Sequence, residues 1–441
     1  MANSLVDMFR AKDIRNKILI TLGLLAASRV GTVIPIPGIN PTVLKEYFLQ
    51  ATSSSVMGFT EYLNFFSGGA FTNFSIFMLG IMPYISTQII IQLLMIIVPS
   101  LKKLAQEPQG AKKIQQYTRW GTIVVCLLQS FAATVYARSI PGAVSMNTVG
   151  FSLIAMISVT AGSMLLVWLG EKITQFGVGN GISLLIFAGI VARIPEAIAT
   201  LVRSVAAGTL NVVAVIVVFV MFILVVLLVV YEEQGQRKIP VKYSKRVVNN
   251  KIYGAGNTFI PLKLNPSGVI PVIFASALLG FPLQIAASLG PNVRWLQSVA
   301  NFLNPQGAPY LIIYTLLIIA FAFFYTQISM NPSEIAKNIR DNGGTIAGDD
   351  SGDMEKYLTK VLNRIVLPGS LFLAFIALIP TLIQKIFNFP SSVAMLFGGT
   401  SLIILVGVDL DTVRQLDGLL KMHHHKGLVG TSNKRRKPNK I

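Results

Sequence analysis

Residues 63–98 read LNFFSGGAFTNFSIFMLGIMPYISTQIIIQLLMIIV, and this stretch decides the class of fold. From Ile76 to Val98 it is apolar, free of Lys, Arg, Asp and Glu, and long enough to cross a bilayer. Just before it lies a shorter apolar piece, Leu63–Phe71, interrupted by Gly68-Gly69. Two readings are open. It is a re-entrant segment whose backbone is shielded by protein or by a water-filled cavity, or it is a loop before an ordinary kinked span. Pro83, Ser86, Thr87, Gln88 and Gln92 interrupt the apolar character of the run. Such groups seek partners in hydrocarbon, so this helix is expected to face protein or a pore rather than lipid.

The rest of the chain agrees. Of 441 residues, 53% are hydrophobic and 12% charged, against about 25% charged in soluble domains. Ten spans are predicted, near 18–37, 76–98, 120–137, 151–169, 182–201, 210–230, 268–289, 310–329, 365–387 and 392–408. Met1 to Lys17 is polar and amphipathic, so no cleavable signal peptide is expected. The single cysteine, Cys126, excludes an intrachain disulfide and a cysteine metal site.

Ten spans put both termini on one side, and the cations decide which. The segments on the amino-terminal side hold 30 of the 37 Lys and Arg residues. This bias places the termini and those loops in the cytoplasm. The spans divide evenly at a polar link, 202–209, into halves 1–201 and 210–408, with a basic tail at 409–441. Five spans each way give the halves opposite orientations, the setting for an inverted repeat around a central site.

Enzyme chemistry finds little support. His423, His424 and His425 sit together in a basic tail, and no Ser/His/Asp arrangement, zinc spacing or P-loop appears. No cofactor or metal is implied. An inverted-repeat secondary transporter is the alternative, but the span interiors are almost free of the ionisable groups that ion coupling uses. Arg29, Arg193 and Glu196 lie near span ends and are read as interfacial, reaching toward headgroups. The pairs Ile81/Ile85 and Ile182/Ile186 each lie one helical turn apart. They are lipid-facing or core residues, or they form a hydrophobic constriction that resists ion flow. The loop 231–265, YEEQGQRKIPVKYSKRVVNNKIYGAGNTFIPLKLN, is dense in cations, tyrosines and turn residues. It is a docking hairpin for anionic lipid, RNA or an acidic protein face, or an ordinary positive-inside loop.

Motifs along nearly the whole chain resemble the SecY family, the channel subunits of the bacterial protein translocase. They are Gly68-Gly-Ala with Ser75-Ile-Phe-Met-Leu-Gly-Ile-Met-Pro-Tyr-Ile-Ser86; Gly177-Val-Gly-Asn-Gly-Ile-Ser183 with Ile186-Phe-Ala-Gly-Ile190; Gly235-Gln-Arg-Lys-Ile-Pro-Val241; Pro261-Leu-Lys-Leu-Asn265 with Gly268-Val-Ile-Pro-Val-Ile-Phe-Ala275; and Gly398-Gly-Thr-Ser401. The resemblance implies an all-α polytopic fold, ten transmembrane helices in two inverted five-helix halves around an hourglass pore, with a re-entrant plug helix. It implies a pore ring of Ile81, Ile85, Ile182, Ile186, Ile273 and Ile404. The plug is expected near 62–71, with Leu63, Asn64, Phe65, Phe66, Ser67, Gly68 and Gly69. A lateral gate for signal sequences carries Ser86, Gln129 and Asn265, with Thr87 beside them.

The same resemblance implies partners: the small membrane subunits SecE and SecG, the motor ATPase SecA, the ribosome, signal sequences and preproteins, and membrane lipid. The docking loops would be 231–266 and 330–364, with Arg237, Lys238, Lys242, Lys245, Arg246, Lys251 and Asp350 as contact residues. The implied location is the bacterial cytoplasmic (inner) membrane. Two departures stand out. Asp350 occupies the place of a family arginine in Ile346-Ala-Gly-Asp-Asp-Ser-Gly352, which reverses a charge at the expected docking loop. Thr87-Gln88 replaces smaller residues and makes the expected gate more polar.

Overall fold

The computed structural model describes residues 11–50, 64, 67–243, 246–248, 251–253, 257–289, 298–299, 302–304, 307–346, 353–387, 389–396 and 398–433. The chain divides into two compact units. One comprises Met1–Glu196, Gln284–Leu296 and Ile404–Ile441; the other comprises Ala197–Leu283 and Gln297–Ile403.

In the first unit the helices are α1 (Lys12–Val30), α2 (Pro41–Gln50), α3 (Met82–Ile97), α4 (Pro99–Gln106), α5 (Gly110–Ser139), α6 (Thr148–Phe176) and α7 (Gly181–Ala192). Next, α8 (Ile194–Ala206) leads into the second unit. Helix α6 shows why these segments assemble. Phe151, Ala155, Val159, Gly162, Leu166 and Ile173 are buried along one face, whereas Leu153 and Ile157 on the other are 57% and 66% exposed. An apolar outer face of this kind is stable against lipid, not water.

Helix α3 begins six residues later than the apolar run. Residues 76–81 form tight turns rather than helix. Phe74 has φ 44° and Gly80 φ 58°, both in the left-handed region. Pro83 lies in the first turn of α3, where its missing N–H belongs to the unpaired set at a helix start. The turns are held by a short ladder instead. Ile36 N–H donates to Phe74 O at 3.1 Å, and Ile76 N–H donates to Ile34 O at 3.1 Å. At the other end, α3 and α4 meet at a bend of 109°.

The Gly177–Ser183 motif has a local reason for most of its residues. Gly179 turns the chain with φ +82°. Asn180 caps α7, its side chain accepting from the Ile182 and Ser183 N–H groups. At Gly181 a Cβ would lie 1.9 Å from the Gly170 carbonyl oxygen of α6, so only glycine permits this crossing. The predicted fifth span is broken into α7 and α8 around Arg193, where Pro195 cannot continue the ladder. Arg193 and Glu196 form an ion pair at 3.4 Å.

The second unit contains α9 (Val212–Gln234), strands β1 (Gln236–Tyr243), β2 (Arg246–Val248), β3 (Lys251–Tyr253) and β4 (Asn257–Lys263), then most of α10 (Ile270–Leu289). It continues with α11 (Ala308–Ser329), α12 (Pro332–Asp341), β5 (Gly344–Ile346), α13 (Met354–Phe387) and α14 (Ser391–Leu396). The final helix, α15 (Gly399–Asn433), carries the chain back to the first unit. The predicted tenth span is thus divided between α14 and α15. The link expected at 202–209 lies within the second unit; residues 202–206 are the last turn of α8, and only 207–209 belong to the α8–α9 connection.

The class is helical, and the structure adds a small sheet that apolar periodicity did not reveal. Strands run in the order β4-β1-β5, all antiparallel, with Ile239 opposite Ile260 and Val241 opposite Ile346. The two loops read separately from the sequence therefore form one folded layer. Ile239, Val241, Leu262, Ile339, Ile346 and Leu358 share its core.

Among the described residues, six helical segments are individually long and apolar enough to span a membrane: Gly110–Arg138, Thr148–Phe176, Gly181–Ala206, Val212–Gln234, Ala308–Asp341 and Met354–Phe387. The bent α3–α4 pair makes a seventh, and Ile270–Gly280 is a shorter apolar helix. The protein is a multi-pass membrane protein.

Candidate pore constriction and plug seat

Three of the six predicted ring residues come together. Ile81 precedes α3, Ile85 lies one turn into it, and Ile186 sits midway along α7. Their exposures are 6%, 5% and 5%. The Ile85 N–H donates to Ile81 O at 3.1 Å, which fixes the two side chains on one face. With Leu166 and Leu185 they line a cavity of about 20 Å³ that also touches Ser28, Arg29, Thr32 and Ser67. Ile182 is half-buried and packs toward Gly170. Ile404, in the same unit, is fully buried. Neither lines this cavity. Ile273 belongs to the second unit and is half-buried on α10.

Beside the cavity lies the glycine-rich segment. Leu63, Phe65 and Phe66 fall outside the described residues; Asn64, Ser67, Gly68 and Gly69 fall within them. Asn64 organises the turn. Its backbone carbonyl accepts from Gly69 N–H at 2.9 Å, and its side-chain Oδ1 accepts from Thr72 N–H at 3.2 Å. Ser67 Oγ accepts from Phe71 N–H at 3.2 Å. The segment 64–72 is thus closed on itself by short-range bonds, and Asn64 and Ser67 are each 6% exposed.

Gly68 touches both neighbouring walls. A Cβ there would lie 2.4 Å from Arg29 Nη1 and 3.0 Å from Gly189 Cα of α7. Arg29, expected from the sequence to be interfacial, is half-buried and borders the cavity. Its Nε and Nη1 have no access to solvent and no hydrogen-bond partner among the described residues. The available signal was the cost of a guanidinium inside an apolar run, which marks such a residue as functional by default.

The predicted gate residues divide between the units. Ser86 is half-buried. Thr87 is 3% exposed; its hydroxyl donates to Pro83 O at 2.8 Å, and its methyl faces Gly121 of α5. Gln129 on α5 is buried. In the second unit, Asn265 Nδ2 donates to Gly268 O at 3.2 Å, and its Oδ1 accepts from Ser267 Oγ at 2.9 Å.

On the sheet, Arg237, Lys238 and Lys242 of β1 are exposed, and Lys238 Nζ stands 4.7 Å from the centre of the Phe259 ring. Arg246 and Lys251 lie on the β2–β3 hairpin, where Arg246 pairs with Tyr253 and Lys251 with Val248. Lys245 and Asp350 lie outside the described residues.

A family model described as SecY matches residues 75–413. The chain belongs to the SecY family. It is similar to the protein translocase subunit SecY of Borreliella burgdorferi, at 45% identity over 423 residues and 96% of each chain. Among solved structures, one described as a protein conducting channel gives a TM-score of 0.65 at 22% identity over 91% of each chain. Another gives 0.63 at 21% identity over 91% of each; its description states that the SecY plug domain stabilises the closed channel and maintains a membrane seal. The SecY match begins at Ser75, just before the turns that precede α3, and runs through about the first four turns of α15.

Proposed function

We propose that this SecY chain is the pore-forming subunit of a protein-translocation channel and not an enzyme. The carrying observation is the joining of Ile81, Ile85 and Ile186 around one small cavity, with the Ser67–Gly69 turn seated against it. Aliphatic side chains offer a passing polypeptide no hydrogen bonds, so chains of any sequence slide without being held. The same side chains exclude hydrated ions, because entry would strip water without replacing it. Ile182, Ile273 and Ile404 are the further members of the ring. Residues 62–71 act as the plug.

Unfolded preproteins pass through the ring. Apolar segments leave sideways past Ser86, Thr87, Gln129 and Asn265. Hydrogen bonds among such groups in a bilayer are worth about 0.6 kcal/mol each, weak enough for a signal helix to displace. The sheet bearing Arg237, Lys238 and Lys242, with the hairpin carrying Lys245, Arg246 and Lys251 and the loop carrying Asp350, receives the ribosome or SecA on the cytoplasmic side. SecE and SecG associate within the cytoplasmic membrane. The cation bias of the sequence supports cytoplasmic termini.

Photo-crosslinking tests the reading. A photoreactive side chain at Ile85 or Ile186 should capture a secretory precursor stalled by a folded carboxy-terminal domain. The same probe at Leu153, on the lipid-facing side of α6, should not. Equal capture at both places would remove the ring from the translocation path.

A further inference from the structure

Side chains from three helices and one cap hold the turn between α6 and α7. Val178 N–H donates to Thr21 Oγ1 of α1 at 3.0 Å. Gly179 N–H donates to Gln415 Oε1 of α15 at 3.0 Å. Gly181 N–H donates to Thr174 Oγ1 of α6 at 2.9 Å, and the Ile182 and Ser183 N–H groups donate to Asn180 Oδ1. The first N–H groups of a helix have no partner within it, so these acceptors fix where α7 begins. Thr174 and Asn180 are local. Thr21 and Gln415 are not: they stand 157 and 236 residues from their partners in the sequence.

The turn lies close against both distant helices. A Cβ on Gly177 would run into Thr21 Oγ1, and one on Gly179 would lie 3.1 Å from Thr412 Oγ1, a turn before Gln415 on α15. Thr21 is fixed in its own right, because its hydroxyl donates to Lys17 O at 2.9 Å. The two helices also brace each other: Ala11 and Ile14 are buried, with Ile18, Leu416, Leu419 and Leu420 packed against them. What the turn carries is part of the constriction. Helix α7 has 12 residues, so a tilt at its first turn displaces its middle. Ile182 is bonded directly to the cap, and Ile186 lies one turn further on, at the cavity shared with Ile81 and Ile85. Ile404 and Gln415 lie on one face of α15, about three turns apart. The helix that bears one expected ring residue therefore holds the turn that places two others.

We propose that Gln415 and Thr21 are positioning residues that clamp the 177–180 turn and so set where α7 presents Ile182 and Ile186 to the pore. The inference rests on the ring reading of those isoleucines. It assigns the seal to hydrogen bonds outside the apolar ring as well as to the ring itself.

The test uses the whole chain in its membrane complex, reconstituted in vesicles, with resting iodide leak and amide hydrogen exchange over 177–186 as readouts. Gln415→Met and Thr21→Val keep the size of the side chain and remove the acceptor. In each, the leak should rise about 2- to 12-fold, the range for losing one hydrogen bond, and exchange over 177–186 should quicken while that over 151–170 of α6 stays unchanged. Gln415→Glu and Thr21→Ser keep an acceptor oxygen and should stay near the parent in both readouts. Gln415 is exposed, so its two variants leave the core intact and decide the matter alone if Thr21→Val does not assemble. A parental leak in Gln415→Met, or a leak in Gln415→Glu equal to that of Gln415→Met, would overturn the proposal. Ile186→Ala separates the two readings. If it leaves the leak unchanged, the ring assignment fails. If it raises the leak while Gln415→Met does not, only the clamp fails.

Discussion

Two adjacent glycines allow the plug seat to be measured. Gly68 and Gly69 both have positive φ, +65° and +91°. Alanine at either position carries a backbone penalty of about 1–2 kcal/mol in the left-handed region. Their surroundings differ. A Cβ on Gly69 meets nothing within 4 Å, whereas one on Gly68 meets Arg29 Nη1 at 2.4 Å and Gly189 Cα at 3.0 Å. The guanidinium can swing aside, but the Gly189 backbone cannot. Overpacking of this kind adds about 1–3 kcal/mol. Gly68→Ala should therefore shift the seated-to-unseated equilibrium about 5–150-fold further than Gly69→Ala. Iodide leak through reconstituted channels reads this difference directly, with membrane insertion checked by protease protection. Equal leak in the two variants would refute the docking of Gly68 against Arg29 and α7.

The double substitution Ile85→Ala with Ile186→Ala removes two of the three isoleucines around the cavity and should raise resting ion conductance; unchanged conductance would reject the ring. Leu358 is fully buried in the core beneath the β4-β1-β5 sheet, so Leu358→Ala should destabilise that layer by about 2–5 kcal/mol, seen as faster proteolysis of the β1–β4 region with the spans intact. Arg237→Glu with Lys238→Glu reverses two exposed charges on β1 without touching the core. Partner binding should weaken, with a smaller dependence on salt, while thermal stability stays near that of the parent protein.

The sequence by itself determined the environment of the chain and carried the expectation for its orientation. Uninterrupted apolar runs such as 212–230 have no stable place in water, and the expected ten-span topology puts 30 of 37 cations on one side. The glycine, asparagine and proline motifs were also legible, because their conformational demands are local. Gly179 turns, Asn180 caps and Gly181 permits a close crossing, all within three residues.

Tertiary structure decided what depends on segments far apart in the chain. The start of α3 was set by strand-like pairing of 74–76 with 34–36, not by the apolar run. Pairing of Val241 with Ile346 joined two loops into one sheet, and no period in either loop encodes that partner. Arg29 looked interfacial from its place near a span end. Only the arrival of Gly68, 39 residues later in the sequence, brought a second stretch of backbone against its guanidinium. Apolar burial responds to local composition, and hydrogen-bond pairing and charge burial respond to which distant segment comes to lie alongside.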